Sequence, residues 1–356
     1  MDDKSVRFRN PSGFLIYPKH FPRFYNERVT VTRGKEMNDI AASKETRRMA
    51  AHDTPFRIRD KYKLFLMALP FLALAFVFSY LPLYGWIYAF YDYRPGIPLK
   101  DSEYMGFYWF TSMLSNEIQR QEIVRVMTNT FAMSGLSILT SVLPVAFAIF
   151  LTEIRSPFFK RMVQTLTTLP NFISWVLVYS FAFMLFSVDN GFLNNFLLSM
   201  GWIDRPMNLL ASDSHTWLSM TLWGIWKTLG WSAIMYIAAI TGIDQELYEA
   251  ARVDGAGRYR LMWHVTVPGI MPTFFVLLLL SIANFINNGF EQFYVFMNAI
   301  NMGRIEVLDL YVYNIGMTNS NFSFSTAVSL LKSVVSIVLL FAANGLSKLF
   351  RGENII

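Results

Sequence analysis

The chain has 356 residues, 54% of them hydrophobic and 16% charged, with mean hydropathy +0.34 and a formal net charge of +6. Soluble domains carry about 25% charged residues, and here the apolar excess gathers in runs of about 20 residues, enough to cross about 30 Å of hydrocarbon. That excludes an ordinary soluble domain, and the lack of cysteine excludes a disulfide framework or a thiolate metal site.

Residues 1–63 hold 15 Lys+Arg against 8 Asp+Glu. The short apolar patch "GFLIY" at 13–17 cannot serve as the core of a cleavable signal peptide. A basic cytoplasmic N-terminal tail close to anionic lipid headgroups is expected. Six spans follow, at 64–90, 129–151, 163–187, 216–240, 271–298 and 327–350, and 351–356 form a short C-terminal tail. The fold class is therefore an all-α polytopic membrane protein with a six-helix domain over 64–350. Pro70, Pro82, Pro144 and Pro170 fall inside spans, which a helix bundle accommodates. The aromatic stretch "YGWIYAFYDY" at 84–93 suits the membrane–water interface. With the N-terminus inside, inside segments carry 23 Lys+Arg and outside segments 6. The positive-inside rule then places both termini in the cytoplasm.

The loop at 241–268 faces the cytoplasm in this topology. Asp244 is placed to cap a helix running through "ELYEAARV". Asp254-Gly255 should stop it, because Gly accepts the left-handed conformation that ends helices. A second short helix is expected from Ala256 to just before Pro268. Ala250, Ala251, Gly255, Ala256 and Gly257 add little bulk, so another protein's surface can approach this backbone closely.

The segment "ELYEAARVDGAGRYRLMWHVTVP" resembles the cytoplasmic signature of permease subunits of binding-protein-dependent ABC importers. That signature is Glu-Ala-Ala, three residues, Gly, nine residues, then Ile-x-Leu-Pro. Here it stands as Glu249-Ala250-Ala251, Gly255 and Val265-Thr266-Val267-Pro268, with Val replacing Ile and Leu. The stretches "FSYLPLYGWIYAFYDYRP" at 78–95, "QTLTTLPNFISWVLV" at 164–178, "GFEQFYVFMN" at 289–298 and "LLKSVVSIVLLFAANGLSK" at 330–348 are similar to the polysaccharide branch of that family, which takes up alginate, aldouronate and related oligosaccharides. The likeness covers about residues 62–350 and leaves the tail outside.

The resemblance implies a type I importer permease in the bacterial cytoplasmic (inner) membrane. The implied partners are a second, related permease, two copies of an ABC ATPase subunit and an extracytoplasmic solute-binding protein, with no nucleic acid. It implies that Glu249, Ala250, Ala251, Asp254, Gly255 and Pro268 carry the contact with the ATPase. ATP and Mg²⁺ belong on that partner, with no cofactor in this chain, and no phosphate loop is present: Gly34-Lys35 is followed by Glu36 and lacks the preceding Gly. The implied cargo is an oligosaccharide or polysaccharide, including acidic alginate- or uronate-like ones. The alternative is a small neutral sugar or glycerol phosphate.

Polar groups in hydrocarbon are costly and usually face a bundle interior or a water-filled path. In the fifth span Asn284, Asn287, Asn288 and Glu291 recur at i, i+3, i+4 and i+7, one face of a helix. Ser281 and Gln292 lie beside them. These groups match sugar hydroxyls, or they form a polar seam between helices. Lys227 in the fourth span and Lys332 in the sixth either pair with a carboxylate such as Glu291, snorkel, or face an anionic sugar. Counting only Glu291 against the two lysines leaves one positive charge in the bundle, which would favour an anionic cargo. Trp223, Trp226, Trp231 and Tyr236 share the fourth span, where packing competes with sugar stacking. His20, His52, His215 and His264 do not cluster, so no metal site is expected. A membrane-embedded enzyme would gather acids or histidines at one membrane face, whereas the outside acids here are scattered. A secondary transporter would usually carry internal repeats, and none is visible.

Overall fold

The computed structural model describes residues 60–351, so the expected tail lies outside the described residues except at its end. The chain divides after Phe76 into two units. The described part of the first is essentially one helix, α1 (Asp60–Ala75), with Pro70 inside it.

The second unit opens with a π-helical turn and a 3-10 helix (Leu81–Phe90). Then come α2 (Tyr108–Ser115), α3 (Glu117–Thr140), α4 (Val142–Thr152), α5 (Pro157–Thr168), α6 (Trp175–Phe186), α7 (Phe192–Ser199) and α8 (Thr216–Thr241). The cytoplasmic signature folds as α9 (Gln245–Val253) and α10 (Arg258–Leu261), followed by α11 (Val267–Ala283). After α12 (Glu291–Phe296), α13 (Met302–Ile305) and α14 (Leu308–Tyr313), the long α15 (Phe322–Arg351) closes the chain. Among the described residues only an isolated bridge, Tyr91 to Tyr104, is strand-like.

Small residues let these helices approach. Ala148 on α4 and Ala233 on α8 are fully buried against Ile240 and Ile270. Ala327 on α15 packs against Ala89 of the 3-10 helix. Large apolar side chains instead point outward, as with Val334, Ile337 and Phe341 on α15. This distribution suits a surface facing lipid or another membrane subunit rather than water.

Four helical runs are long and apolar enough to cross a membrane: Tyr62–Phe90, Glu117–Thr152, Arg258–Ala283 and Phe322–Gly345. A fifth appears if the bent pair Pro157–Phe172 and Trp175–Phe186 counts as one. The remaining expected span is α8, whose 26 residues are long enough but are diluted by Ser, Thr, Trp and Lys227.

Four expectations need correction. The second span is part of a longer helical run that begins at Glu117 rather than 129, because "EIQRQEIVRV" is helical although not apolar. Asn116 caps its start by accepting from the Ile118 and Gln119 N–H groups. The third span is bent by 107°. Pro170 and a 3-10 turn (Leu169–Phe172) end its first half, and Ser174 caps its second. The fifth span ends at Ala283. There the Asn284 side chain donates to Leu280 O at 3.0 Å, and the Asn287 N–H turns back to Asn284 O at 2.8 Å. Such local amide bonds compete with helix propagation. Finally, the helix after Gly255 begins at Arg258 and does not stop at Pro268. A π-helical turn (Met262–Thr266) precedes it, with Val267 N–H donating to Met262 O, and the run continues to Ala283. A widened turn of this kind accommodates the proline's missing donor.

Candidate functional site

The cytoplasmic loop is built as the capping residues require. The Asp244 carboxylate accepts from Glu246 N–H at 3.0 Å. At the other end of α9, Ala256 N–H donates to Ala251 O at 2.9 Å and Gly255 N–H to Arg252 O at 3.0 Å. This pair of bonds is a Schellman cap, and Gly255 takes φ +75° within it. The α9 helix is tied back by Tyr248 Oη and Thr266 Oγ1, 3.0 Å apart. Arg258 pairs with Glu153, at the end of α4. Glu249, Ala250, Asp254, Gly255 and Pro268 are exposed, with Ala251 half-buried. Val253 and Tyr259 project from the same loop, 87% and 76% exposed. A polar loop that presents two bare apolar side chains beside its cap can seat a partner's groove.

A cleft of about 640 Å³ lies between α3, α4, α8, α11 and the break after α11. Ser134, Ser137, Thr221, Thr228, Ser232 and Ser281 line it with hydroxyls. Asn284, Asn287, Asn288 and Gln292 add amides, and Trp175, Trp231 and Tyr236 add aromatic surface. None of the lining side chains is charged. The break is held from three sides. Ser134 on α3 donates to Phe285 O and receives Asn288 Nδ2 at 3.0 Å. Gln292 donates to Met220 O on α8 at 2.7 Å. Asp309 on α14 accepts from Gly289 N–H at 2.9 Å and also pairs with Lys332. Non-helical backbone at membrane depth is tolerated where it lines a cavity or is buried in protein, and this segment does the former.

The structure thus brings Asn284, Asn287 and Asn288 together on the cleft, but on a broken segment rather than one helical face. Glu291 starts α12 and is not among the lining residues. Lys332 is paired with Asp309, an acid that sequence order alone leaves in an outside loop. That pairing removes the unbalanced charge expected from counting Glu291 alone. Lys227 is buried on α8 and donates to Pro170 O, Asn171 O and Ile173 O at the bend of the third span. The field of Glu291 reaches it, but no ion pair forms. The cleft residues that the sequence reading missed are Trp175 and the hydroxyls of α3 and α8. Ser134, Ser137 and Ser141, spaced three and four apart, carried a helical-face signal that could have found one wall.

A second polar cluster joins α3 to the segment around α13. Glu306, 2% exposed, accepts from Arg125 at 2.7 Å and from Asn314 at 2.8 Å. Asn129 donates to Gly303 O and Glu306 O, and the Trp217 indole N–H reaches Arg304 O at 3.0 Å. These bonds satisfy the backbone of an irregular stretch.

The family model described as "Binding-protein-dependent transport system inner membrane component" matches residues 140–352. The chain belongs to this family. It is a membrane-embedded transport permease, not an enzyme. It is 38% identical over 327 residues to Protein LplB of Bacillus subtilis (strain 168), covering 92% of this chain and 99% of that relative. It is also 38% identical over 299 residues to the polygalacturonan/rhamnogalacturonan transport system permease protein YteP of the same organism, covering 84% and 91%. A crystal structure of a bacterial alginate ABC transporter, in complex with an alginate pentasaccharide-bound periplasmic protein, contains a chain that superposes with TM-score 0.73. That chain is 30% identical, with 83% of this permease and 97% of that chain covered. The recognised signature and the polysaccharide-branch likeness agree with these relatives.

Proposed function

We propose that this permease forms one half of the path of an ATP-driven oligosaccharide importer, with an acidic polyuronate-type oligosaccharide as cargo. The observation that carries the reading is the cleft. Its hydroxyls, amides and aromatic faces match the hydroxyl-rich, partly apolar surface of a sugar, and the relatives are named for polygalacturonan and alginate, both polyuronates. A second permease of the same family completes the path. Two ATPase subunits, holding ATP and Mg²⁺, engage the two copies of the loop, the one here being α9–α10. A solute-binding protein delivers the cargo from outside, and both termini of this chain lie in the cytoplasm. Because none of the lining side chains is charged, this subunit holds the sugar by hydrogen bonds and stacking, and the binding protein supplies the selection for charge.

The test is uptake by the reconstituted complex of tetragalacturonate, its fully methyl-esterified counterpart and glycerol 3-phosphate. The expected result is transport of tetragalacturonate and no transport of glycerol 3-phosphate. Transport of glycerol 3-phosphate alone would establish the small-molecule alternative.

A further inference from the structure

Lys227 stands out as a charged side chain in a membrane helix that neither pairs with a carboxylate nor reaches the cleft. Its ammonium lies 3.1, 2.9 and 2.5 Å from the carbonyl oxygens of Pro170, Asn171 and Ile173. An ammonium has three donors and no acceptor, so three carbonyls satisfy it completely, and no N–H remains for a passing solute. These carbonyls are the ones that Pro170 and the turn of the chain leave without helical partners, at a helix C-terminus where a cation is favoured. One turn further along α8, Gly230 meets the same element. A Cβ there would lie 2.3 Å from Thr167 O and 2.6 Å from Thr168 N. The backbones of α5 and α8 therefore touch at Gly230, and Lys227 locks the bend just beyond. The ammonium also sits 5.3 Å from the centre of the Trp175 ring, at a distance for cation–π attraction. Trp175 lines the cleft, where Phe296 meets its ring edge to face at 6.5 Å.

We propose that Lys227 is a positioning residue: it fixes the bend of the third span and holds the Trp175 ring at the wall of the cleft as a stacking platform for the sugar, without touching the cargo. The role of Trp175 rests on the cleft being the sugar path. The role of Lys227 at the bend does not. If Lys227 recognised an anionic cargo, its removal would weaken acidic sugars selectively. As a positioning residue, its removal weakens acidic and neutral sugars alike.

The experiment uses the full complex carrying 5-fluorotryptophan, with the Trp175 resonance assigned by its absence in Trp175→Phe. In Lys227→Met the Trp175 fluorine resonance should move or broaden in the absence of any sugar. Uptake of tetragalacturonate and of its methyl ester should fall by one common factor, about tenfold, as expected when three buried carbonyls lose their donor. Trp175→Phe should lower both sugars likewise. An unchanged Trp175 resonance in Lys227→Met would overturn the proposal, as would a loss confined to tetragalacturonate. If Lys227→Met does not assemble, Lys227→Gln, whose amide offers two donors to three carbonyls, carries the same readouts. If the wild-type complex takes up neither sugar, the cargo reading and the Trp175 platform fail together. The fluorine signal then still decides whether Lys227 holds the ring.

Discussion

Gly255 offers a clean perturbation because its surroundings are empty. A Cβ added there meets nothing within 4 Å, yet the residue holds φ +75°. Any cost of substitution is therefore conformational rather than steric. Placing an L-residue in the left-handed region costs about 1–2 kcal/mol. That cost falls on the cap whose bonds run from Ala256 N–H to Ala251 O and from Gly255 N–H to Arg252 O. An energy of this size multiplies the opening equilibrium of the last turn of α9 by about 5–30. Asn tolerates the left-handed region better than Ala, and a β-branched residue tolerates it worst. The expected order of hydrogen-exchange protection at the α9 C-terminus is Gly, then Asn, then Ala, then Val. Sugar-stimulated ATPase activity of the complex should follow the same order, with Gly255→Leu also uncoupled and membrane insertion unaffected. The larger Asn outperforming the smaller Ala distinguishes strain from crowding. Equal protection and equal stimulated ATPase in wild type and Gly255→Val would refute the reasoning.

Arg125→Met strands the Glu306 carboxylate, whose side chain is 3% exposed, so a loss of about 3–5 kcal/mol is expected, read as a lower melting temperature of the purified complex. Gly230→Ala must push α5 from α8, an overpacking that costs about 1–3 kcal/mol and should lower the same melting temperature, whereas Gly135→Ala, which meets nothing within 4 Å, should not. Glu153→Ala or Arg258→Ala breaks a partly exposed pair and should cost under about 1 kcal/mol, with the charge-swapped double variant recovering what either single reversal loses. Cysteines at Asp254 and Ser347 should resist an impermeant thiol reagent applied outside intact cells, and one at Ser212 should react. The native chain has no cysteine to confuse the labelling, and outside labelling at position 254 would overturn the proposed orientation.

The features legible in the sequence were those governed by neighbours along the chain. Apolar length marked where spans must lie, since about 20 residues are needed whatever packs beside them. Asp244 and Gly255 marked the two ends of α9, because capping is satisfied within a few residues. The spacing from Glu249 to Pro268 carried the family. What periodicity could not show was where local hydrogen bonds win over helix propagation. Asn284, Asn287 and Asn288 share a helical face on paper, but their amides serve the backbone and break the helix, and the cleft forms at that break. Nor could the sequence show which charges meet. Asp309 and Lys332 are 23 residues apart, and Lys227 lies 54 to 57 residues from the carbonyls it holds. A buried ammonium accepts any set of oxygens that satisfies its three donors, and only the folded chain determines whether those oxygens are a carboxylate, a sugar or the bare carbonyls of a bent helix.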